Sequence, residues 1–398
     1  MKKVLVFGST GFVGKKAVQI LYENPQHFEV HTLVANNNVH LLALQARLLN
    51  AQSVVIADET LYQDLKGLLA GTAIKVSAGK SGIKEAASTT KAATAVMAIS
   101  GVAALEYVVD LLESDVKCIA LANKESVVCG GALLMEAAKR RGISIVPLDS
   151  EHNAVFRILH DSGCDNLMGV TITASGGPFL RYSIDEMKNV ELKDTLTHPI
   201  WRMGRKISID SATMANKALE VIEAKNFFNL DHTNINVLVH PEAVVHAFVT
   251  YRDGASAALM YPPDMAIPML HALYWPEKIR PSAAVVGRRL CLASCGQLTF
   301  MEPDLERFPA LKIGFDIIKN SECHSASIVF NAANEVAVAA FLDYKIQFLE
   351  VVSVVLDTMD KAPHRMMNSI TDIMEYDLFI RDITKEIVTR KQNAKLLV

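Results

Sequence analysis

The first 149 residues alternate short apolar runs with helical stretches, and this alternation restricts the possible fold more than any other feature. Apolar runs at residues 4–7, 30–34, 53–56, 95–99, 118–122 and 143–146 predict strands, with helices between them at 14–22, 39–49 and 130–139. A strand followed by a helix and another strand normally forms a right-handed crossover between parallel strands. The pattern therefore predicts a parallel sheet covered by helices on both faces, a Rossmann-type α/β domain.

A glycine-rich turn joins the first predicted strand to the first predicted helix. It reads Gly8-Ser-Thr-Gly11-Phe-Val-Gly14, a G-x-x-G-x-x-G spacing. Glycines at such a turn let the backbone approach a pyrophosphate, whose charge is met by amides at the helix start. An alternative is a tight strand–helix turn without a ligand. The candidate cofactor contacts of this turn are Gly8, Ser9, Thr10, Gly11, Phe12 and Val13.

The end of the second predicted strand reads Asn36-Asn37-Asn38. An acidic residue here would bind the ribose 2′-hydroxyl of NAD, and none is present. The segment therefore favours NADP, although no arginine or lysine is there to meet the 2′-phosphate. Asn36 and Asn38 are candidate cofactor contacts.

Two carboxylates, Asp149 and Glu151, follow the predicted strand at 143–146. In an extended chain residues i and i+2 point the same way, so the two groups are expected side by side. Adjacent anions favour a bound cation, and an all-oxygen site suits magnesium or manganese. The alternative is a pair of rim carboxylates bonded to amides or to Lys124. Glu220 is the expected third ligand, with Glu223 as its competitor.

Other candidate residues lie in four segments. Asn123, Lys124 and Glu125 follow the strand at 118–122, at the sheet edge where open α/β domains bind ligands. A helix is expected to start with capping residues at Asp210 and to present Asn216, Lys217 and Glu220, although a surface Lys–Glu pair is the simpler explanation. The expected anion site comprises Ser175 in a glycine-rich loop, Ser211, Asn216 and Lys217. An expected flap that excludes water contains His198, Trp201, Met203 and Gly204.

Composition restricts the class of protein. A net charge of −3 over 398 residues argues against a nucleic-acid-binding face. The six cysteines (118, 129, 164, 291, 295 and 323) lack metal-site spacing, which predicts buried, reduced thiols in a cytoplasmic protein. No apolar run without charges is long enough for a membrane span, so neither nucleic acid nor membrane is an expected partner.

Taken together, the motifs resemble those of the 1-deoxy-D-xylulose 5-phosphate reductoisomerase family along nearly the whole chain. The segments that resemble it are Gly8–Gly14, Leu121–Ser126, Pro147–Asn153, Ser175–Phe179, His198–Trp201, Met203–Met214 and Asn331–Glu335.

The resemblance implies an NADPH domain at 1–149, a central α/β catalytic and dimerisation domain at 150–285, a linker at 286–305 and a four-helix bundle at 306–398. It implies a homodimer whose interface includes the hairpin around Asp253 and Gly254. It also implies a metal, magnesium or manganese with cobalt possible, held by Asp149, Glu151 and Glu220, and catalysis that involves these residues and Lys124. The implied substrate contacts are Ser150, Glu151, Ser175, His198, Ser211, Asn216, Lys217 and Glu220; the implied cofactor contacts include Asn123, Glu125 and Gly204.

The activity implied is metal-dependent isomerisation of 1-deoxy-D-xylulose 5-phosphate and reduction by NADPH to 2-C-methyl-D-erythritol 4-phosphate, in the non-mevalonate route to isoprenoid precursors. Two departures from the family pattern are Phe12-Val13, where Ser-Ile is usual, and Asn36-Asn37, where Gly-Lys is common. Two other functions stay open from the residues alone. One is an ordinary NADP-dependent dehydrogenase with structural carboxylates, and the other is a nucleotide-sensing or scaffolding module.

Overall fold

The computed structural model describes residues 1–163, 166–201, 203–278, 289–320 and 325–396 of the chain. The chain divides into two compact units. Unit 1 contains Met1–Asn123, Leu134–Arg157 and Asp264–Leu290. Unit 2 contains Lys124–Leu133, Ile158–Pro263 and Cys291–Val398. The backbone crosses from one unit to the other inside two helices, Lys124–Arg141 and Ser150–Ser162.

Unit 1 is built on a seven-stranded parallel sheet, which confirms the predicted parallel α/β fold. Its strands, in the order β4-β3-β2-β1-β5-β6-β7, are β1 (Lys2–Phe7), β2 (Phe28–Ala35), β3 (Ser53–Ile56), β4 (Lys75–Ala78), β5 (Thr94–Met97), β6 (Cys118–Leu121) and β7 (Ser144–Pro147). Only β4 was missed from the sequence, because this edge strand lacks a continuous apolar run. The strand order reverses between β1 and β5, where doubly wound sheets bind ligands.

Helices cover both faces of this sheet. They are α1 (Phe12–Glu23), α2 (Val39–Leu48), α3 (Tyr62–Leu68) after the 3-10 turn Glu59–Leu61, α4 (Gly79–Ser88), α5 (Ala104–Leu112), the second half of α6 (Lys124–Arg141), the start of α7 (Ser150–Ser162) and α12 (Ala266–Tyr274). Helix α6 is broken at Gly131, whose φ is +46°. Helix α12 is remote in sequence but belongs to the core of unit 1. The ammonium of Lys2 donates to three carbonyls at its end, at 2.7 Å to Trp275 and 3.2 Å to Leu273 and Tyr274.

Unit 2 contains a mixed four-stranded sheet in the order β11-β10-β8-β9. Its strands are β8 (Leu167–Ala174), β9 (Ile235–Val239), β10 (Val245–Tyr251) and β11 (Ser256–Met260). Strand β8 is parallel to β9 and antiparallel to β10, and β10 and β11 form the hairpin predicted around Asp253 and Gly254. The φ of Gly254 is +89°, a conformation that glycine adopts without strain.

The remaining helices of unit 2 include the helical C-terminal region predicted from residue 306. They are α8 (Ile184–Met187), α9 (Leu192–Thr195), α10 (Arg205–Ala212), α11 (Ala215–Phe228), the 3-10 turn His232–Asn234, α13 (Leu292–Cys295), α14 (Pro309–Lys319), α15 (Ser325–Leu342), α16 (Phe348–Lys361) and α17 (Ile370–Leu396). Helix α15 packs against α16 and α17, and α14 packs against α11.

Helix α15 is the one described helix that is long and apolar enough to cross a membrane by length and composition. Because 72% of its apolar window is buried inside the protein, it has the environment of a core helix.

The cysteine prediction is correct in part. Cys118 and Cys129 are buried and reduced, and burial raises the pKa of the Cys118 thiol to about 12. Cys291 is exposed and Cys295 half-buried, so the prediction of burial is wrong for this pair, which lies at the short helix α13. Cys164, Cys323 and the first three residues of the predicted linker, 286–288, lie outside the described residues.

Candidate functional site

The glycine turn lies at the carboxyl end of β1, where the strand order of the sheet reverses. A Cβ on Gly8, whose φ is +75°, would lie 2.5 Å from the carbonyl oxygen of Ala98. A Cβ on Gly14 would lie 2.0 Å from the carbonyl oxygen of Gly8. Both positions therefore require glycine. Gly11 precedes the first residue of α1 and supplies no side-chain cap, so the helix start is suited to an anionic ligand.

The rest of the turn is held by backbone contacts. The amides of Gly8 and Ser9 both donate to the carbonyl of Val34, at 2.8 and 2.9 Å. The buried Ser9 hydroxyl has no hydrogen-bond partner among the described residues. Thr10 is half-buried, and Phe12 is 55% exposed. Val13 packs against the apolar core, which explains an apolar residue at this position.

The segment after β2 is exposed and uncharged. The side chain of Asn38 accepts a bond from the amide of Leu41 at 3.2 Å and caps α2. The carbonyl of Asn36 accepts from the amide of Asp58 at 3.0 Å. Asn37 is exposed between them. Neutral polar side chains therefore stand at the end of β2, where the adenosine ribose of a dinucleotide lies in this fold.

Asp149 and Glu151 are close together, but not for the reason expected from the sequence. The expectation of an extended chain is wrong, because α7 begins at Ser150. Asp149 Oδ1 accepts from the amides of Glu151 and His152, at 3.1 and 3.2 Å, which is the geometry of a helix cap. His152 Nδ1 lies 2.9 Å from the same oxygen. The Ser150 hydroxyl donates to Glu151.

One carboxylate oxygen of Asp149 and one of Glu151 lie within 4.8 Å of each other. Two anions at this distance are stabilised by a shared cation. Because both donors are hard oxygens, the pair suits magnesium or manganese better than zinc.

In unit 2, Glu220 is surrounded by donors. This buried carboxylate accepts from Asn216 at 2.5 Å, from Lys217 and, at 3.3 Å, from Lys124. Asn216 and Lys217 lie one turn before it on α11, as predicted, whereas Lys124 comes from the first turn of α6. Glu223 is also buried, and its Oε2 lies 3.8 Å from Lys124 Nζ. The Lys217–Glu220 pair is therefore buried, and its interpretation as a surface ion pair is wrong.

The helix predicted after capping residues from Asp210 is present, but Asp210 does not cap it. Asp210 lies inside α10 (Arg205–Ala212), and α11 starts at Ala215 after Met214, whose φ is +58°. The Asp210 carboxylate is buried and held by Lys206 at 3.0 Å and by Asn334 at 2.7 Å. It is therefore a structural anion rather than a helix cap. The sequence analysis did not single out Lys206 or Asn334 within their family-like segments, because Asn334 meets Asp210 across a separation of 124 positions.

Ser175 and His198 form a direct contact within unit 2. His198 Nδ1 accepts from the amides of Ile200 and Trp201, at 3.2 and 2.9 Å, so the ring proton is on Nε2. Nε2 lies 3.0 Å from Ser175 Oγ and donates to it. Burial lowers the pKa of His198 to about 4, which keeps the ring neutral at physiological pH. The Ser175 hydroxyl can then give its own proton to a ligand oxygen.

The glycine-rich loop brings Ser175 beside α10. A Cβ on Gly177, whose φ is +68°, would lie 2.8 Å from the carbonyl oxygen of Ser211. The loop after β8 and the end of α10 are therefore in direct backbone contact. Ser175 lies in this loop and Ser211 on α10, whereas Asn216 and Lys217 lie on α11; all four predicted anion-binding groups belong to unit 2.

The predicted flap has no regular secondary structure from His198 to Trp201. The Trp201 ring lies 6.5 Å from the ring of His246, which stacks on Tyr261. Met203 is half-buried, and Gly204 precedes the first residue of α10.

At the predicted sheet rim, Asn123 donates to the carbonyl of Gly101 at 3.0 Å. Glu125 Oε1 lies 3.2 Å from Lys206 Nζ. Burial raises the pKa of Glu125, but the charge of Lys206 and hydrogen bonds outweigh it, so the pKa is held below its ordinary value. Glu125 is therefore a buried, ionised carboxylate.

Three family profiles match the chain. One described as 1-deoxy-D-xylulose 5-phosphate reductoisomerase matches residues 4–131. Two that describe C-terminal domains of the same enzyme match residues 145–228 and 260–383. Together they extend over most of the chain.

Curated relatives match over nearly their whole length. The 1-deoxy-D-xylulose 5-phosphate reductoisomerase of Anaplasma marginale (strain Florida) is 57% identical over 386 residues, 97% of this chain and 96% of the relative. The enzyme of the same name from Anaplasma phagocytophilum is 56% identical, over 98% of this chain and 99% of the relative.

Solved structures are also similar. The Zymomonas mobilis reductoisomerase in complex with NADPH has a TM-score of 0.88 at 38% identity, over 97% of this chain and 99% of that one. A DOX-P reductoisomerase in complex with NADPH, fosmidomycin and magnesium has a TM-score of 0.89 at 34% identity, over 99% of this chain and 98% of that one.

Proposed function

The chain belongs to the 1-deoxy-D-xylulose 5-phosphate reductoisomerase family, and from this premise we propose how its residues share the work of the reaction. It is an NADPH-dependent, metal-dependent enzyme that isomerises 1-deoxy-D-xylulose 5-phosphate and reduces the product to 2-C-methyl-D-erythritol 4-phosphate. This is a step in the synthesis of isoprenoid precursors.

The observation that best supports the residue assignment is the buried cluster around Glu220. Lys124, Asn216 and Lys217 all donate to this one carboxylate. Burying several charges is costly even when they are paired, so a buried cluster of this kind points to a functional role. A site that binds a divalent cation and an anionic sugar phosphate provides such a role, because it uses both signs of charge.

The donor set fits magnesium or manganese, with cobalt as a further possibility. Asp149, Glu151 and Glu220 are the proposed ligands, all hard carboxylate oxygens. Glu220 is the proposed third ligand because the side chains of Lys124, Asn216 and Lys217 all orient its carboxylate. When bound, the metal supplies Lewis-acid polarisation of neighbouring substrate oxygens. Asp149 is oriented for this task by the two amides and the imidazole that donate to it.

The substrate phosphate is assigned to Ser175, Ser211, Asn216 and Lys217. Neutral His198 orients the Ser175 hydroxyl, so that its proton points to the ligand. Lys124 is assigned to oxyanion charge that develops on the sugar, because its ammonium is anchored by a buried carboxylate. Ser150, Glu151 and Glu220 are the other proposed substrate contacts.

NADPH fits the glycine turn, where side chains at Gly8 and Gly14 are sterically excluded. The proposed contacts are Gly8, Ser9, Thr10, Gly11, Phe12 and Val13 for the pyrophosphate half, Asn36 and Asn38 for the adenosine ribose, and Asn123, Glu125 and Gly204 for the remainder. The amides at the start of α1 supply the positive end of the helix dipole to the phosphates.

Four further assignments rest on the family relationship. His198, Trp201 and Met203 form a flap that closes over the substrate and excludes water. The functional division is 1–149 for NADPH, 150–285 for catalysis and dimerisation, 286–305 as a linker and 306–398 as a helical bundle. The active form is a homodimer, and the protein acts in the cytoplasm.

Turnover tests the assignment against an ordinary dehydrogenase. Purified protein with manganese should oxidise NADPH only when 1-deoxy-D-xylulose 5-phosphate is supplied, and EDTA should stop the reaction. Glu151→Gln should lower turnover by at least about a hundredfold, because a metal ligand and its charge are lost. Asp161→Asn, at an exposed carboxylate on the same helix, is the matched control and should be unaffected. Turnover that survives both EDTA and Glu151→Gln would reject the metal site.

A further inference from the structure

Lys206 connects two buried carboxylates on different helices of unit 2. It lies in the first turn of α10, and its Nζ is 3.2 Å from Glu125 Oε1 on α6 and 3.0 Å from Asp210 Oδ2 on α10. The side chains of Glu125 and Asp210 are 8% and 2% exposed. Removing Lys206 would leave two buried anions without their cation, which is unfavourable.

Asp210 is held from its other side as well. Its Oδ1 accepts from Nδ2 of Asn334, at 2.7 Å, on α15 of the C-terminal region. Both groups are buried. The carboxylate of Asp210 is therefore fixed by a cation and an amide, and the next residue along α10 is Ser211.

A second ion pair, of the opposite polarity, joins α6 to α11. Lys124, the neighbour of Glu125, pairs with Glu220 on α11 at 3.3 Å. The first turn of α6 thus gives a cation to α11 and an anion to α10. Two oppositely oriented pairs resist both rotation and sliding of α6 against the α10–α11 helix pair, because each displacement would break at least one of them.

The charges around Lys206 stabilise its ionised form. Burial lowers the pKa of Lys206, but the charges of Asp210, Glu125 and Glu335 outweigh it and hold the pKa above its ordinary value. Glu335, next to Asn334 on α15, is itself paired with Arg381 at 2.5 Å. Lys206 therefore stays charged at physiological pH.

We propose that Lys206 is a positioning residue of the reaction. Its ammonium holds Glu125, a proposed cofactor contact, and α10, which carries the proposed substrate contact Ser211, in a fixed mutual position. Asn334 holds α10 in place through Asp210. The inference rests on the proposed roles of Glu125 and Ser211. It assigns Lys206 and Asn334 a function that the sequence motifs around them do not specify.

Direct ligand binding tests the inference apart from turnover. Lys206→Met should raise the dissociation constant of NADPH, measured by quenching of protein fluorescence, about tenfold or more. It should also raise the KM for the sugar phosphate. Lys206→Arg should bring the dissociation constant of NADPH and the KM most of the way back to their wild-type values, because a guanidinium can reach two carboxylates. Lys225→Met is the matched control: this lysine on α11 donates to the carbonyl of Ile318, so the variant can lose stability without weaker NADPH binding.

A folded Lys206→Met variant with the NADPH dissociation constant and KM of the wild type would overturn the proposal. If that variant does not fold, Asn334→Ala decides, because it removes only one neutral donor from Asp210. A KM raised at least threefold for the sugar phosphate supports positioning through α10, and an unchanged KM rejects it. Wild-type protein in the same assays tests the proposed function separately, because its failure to bind NADPH or to turn over would not depend on Lys206.

Discussion

His198 Nε2 lies 3.0 Å from Ser175 Oγ, although the two residues are 23 positions apart in the sequence. The contact joins the segment after α9 to the loop after β8. Because Nδ1 of the same ring accepts two backbone amides, the imidazole has one tautomer and one orientation. The neutral ring therefore determines the direction of the Ser175 hydroxyl.

This contact predicts a pH dependence of stability. Burial lowers the pKa of His198 to about 4, below its ordinary value of 6.5. Between these two values the unfolded chain binds a proton that the folded protein does not, so the free energy of unfolding should fall as pH falls from 6.5 to 4. The slope from this residue is at most about 1.4 kcal/mol per pH unit. Urea denaturation of the wild type and of His198→Gln at several pH values measures this contribution to the free energy of unfolding. If the free energy of unfolding changes equally with pH in the two proteins, the lowered pKa of His198 is contradicted.

Gly14→Ala should distort the backbone of the glycine turn after β1. The new Cβ would lie 2.0 Å from the carbonyl oxygen of Gly8, which cannot move without displacing β1. The dissociation constant of NADPH should rise at least tenfold, and the melting temperature should fall. Gly67→Ala in α3 is the control, since no atom lies within 4 Å of its added Cβ, and it should raise the free energy of unfolding by up to about 1 kcal/mol. Both are measured by fluorescence titration and thermal unfolding.

Asn37→Lys should sharpen the choice between NADPH and NADH. Asn37 is exposed at the carboxyl end of β2, where a cation would meet the 2′-phosphate. A charge-assisted hydrogen bond contributes about 1.5 kcal/mol or more, so the ratio of the NADH and NADPH dissociation constants should rise about tenfold. Gln26→Lys adds the same charge in the turn before β2, at the opposite end of the strand, and should leave the ratio unchanged. Equal ratios in both variants would exclude Asn37 from the 2′-phosphate contact.

Lys217→Met should separate metal binding from substrate binding. The ammonium of Lys217 donates a hydrogen bond to Glu220, the proposed metal ligand. Its removal leaves a more negative site, so manganese should bind several times more tightly without substrate. The KM for the sugar phosphate should rise, since a proposed hydrogen-bond donor to the phosphate is lost. Electron paramagnetic resonance measures free manganese, and Lys225→Met serves as the control. Weaker manganese binding by folded Lys217→Met would contradict competition between the two cations.

Some site features could be predicted from the sequence because they are local. The glycine spacing after β1, the position of Asn216 and Lys217 one turn before Glu220, and the hairpin around Gly254 all depend on neighbouring residues. The same reasoning failed at Asp149 and Asp210, where the choice between strand, cap and helix interior depends on packing. Asp149 caps α7 instead of continuing β7, and Asp210 lies inside α10 because Lys206 and Asn334 satisfy its charge.

The amino-acid sequence by itself determined the parallel α/β sheet, the glycine turn and the choice of candidate acidic metal ligands. It could do so because strand periodicity and glycine spacing act over short distances. Tertiary structure alone decided which charges meet. Lys124 is 96 positions from Glu220, and Asn334 is 124 positions from Asp210. Periodicity shows which face of a helix a side chain occupies, but the partner of a buried charge depends on which distant helix packs against that face.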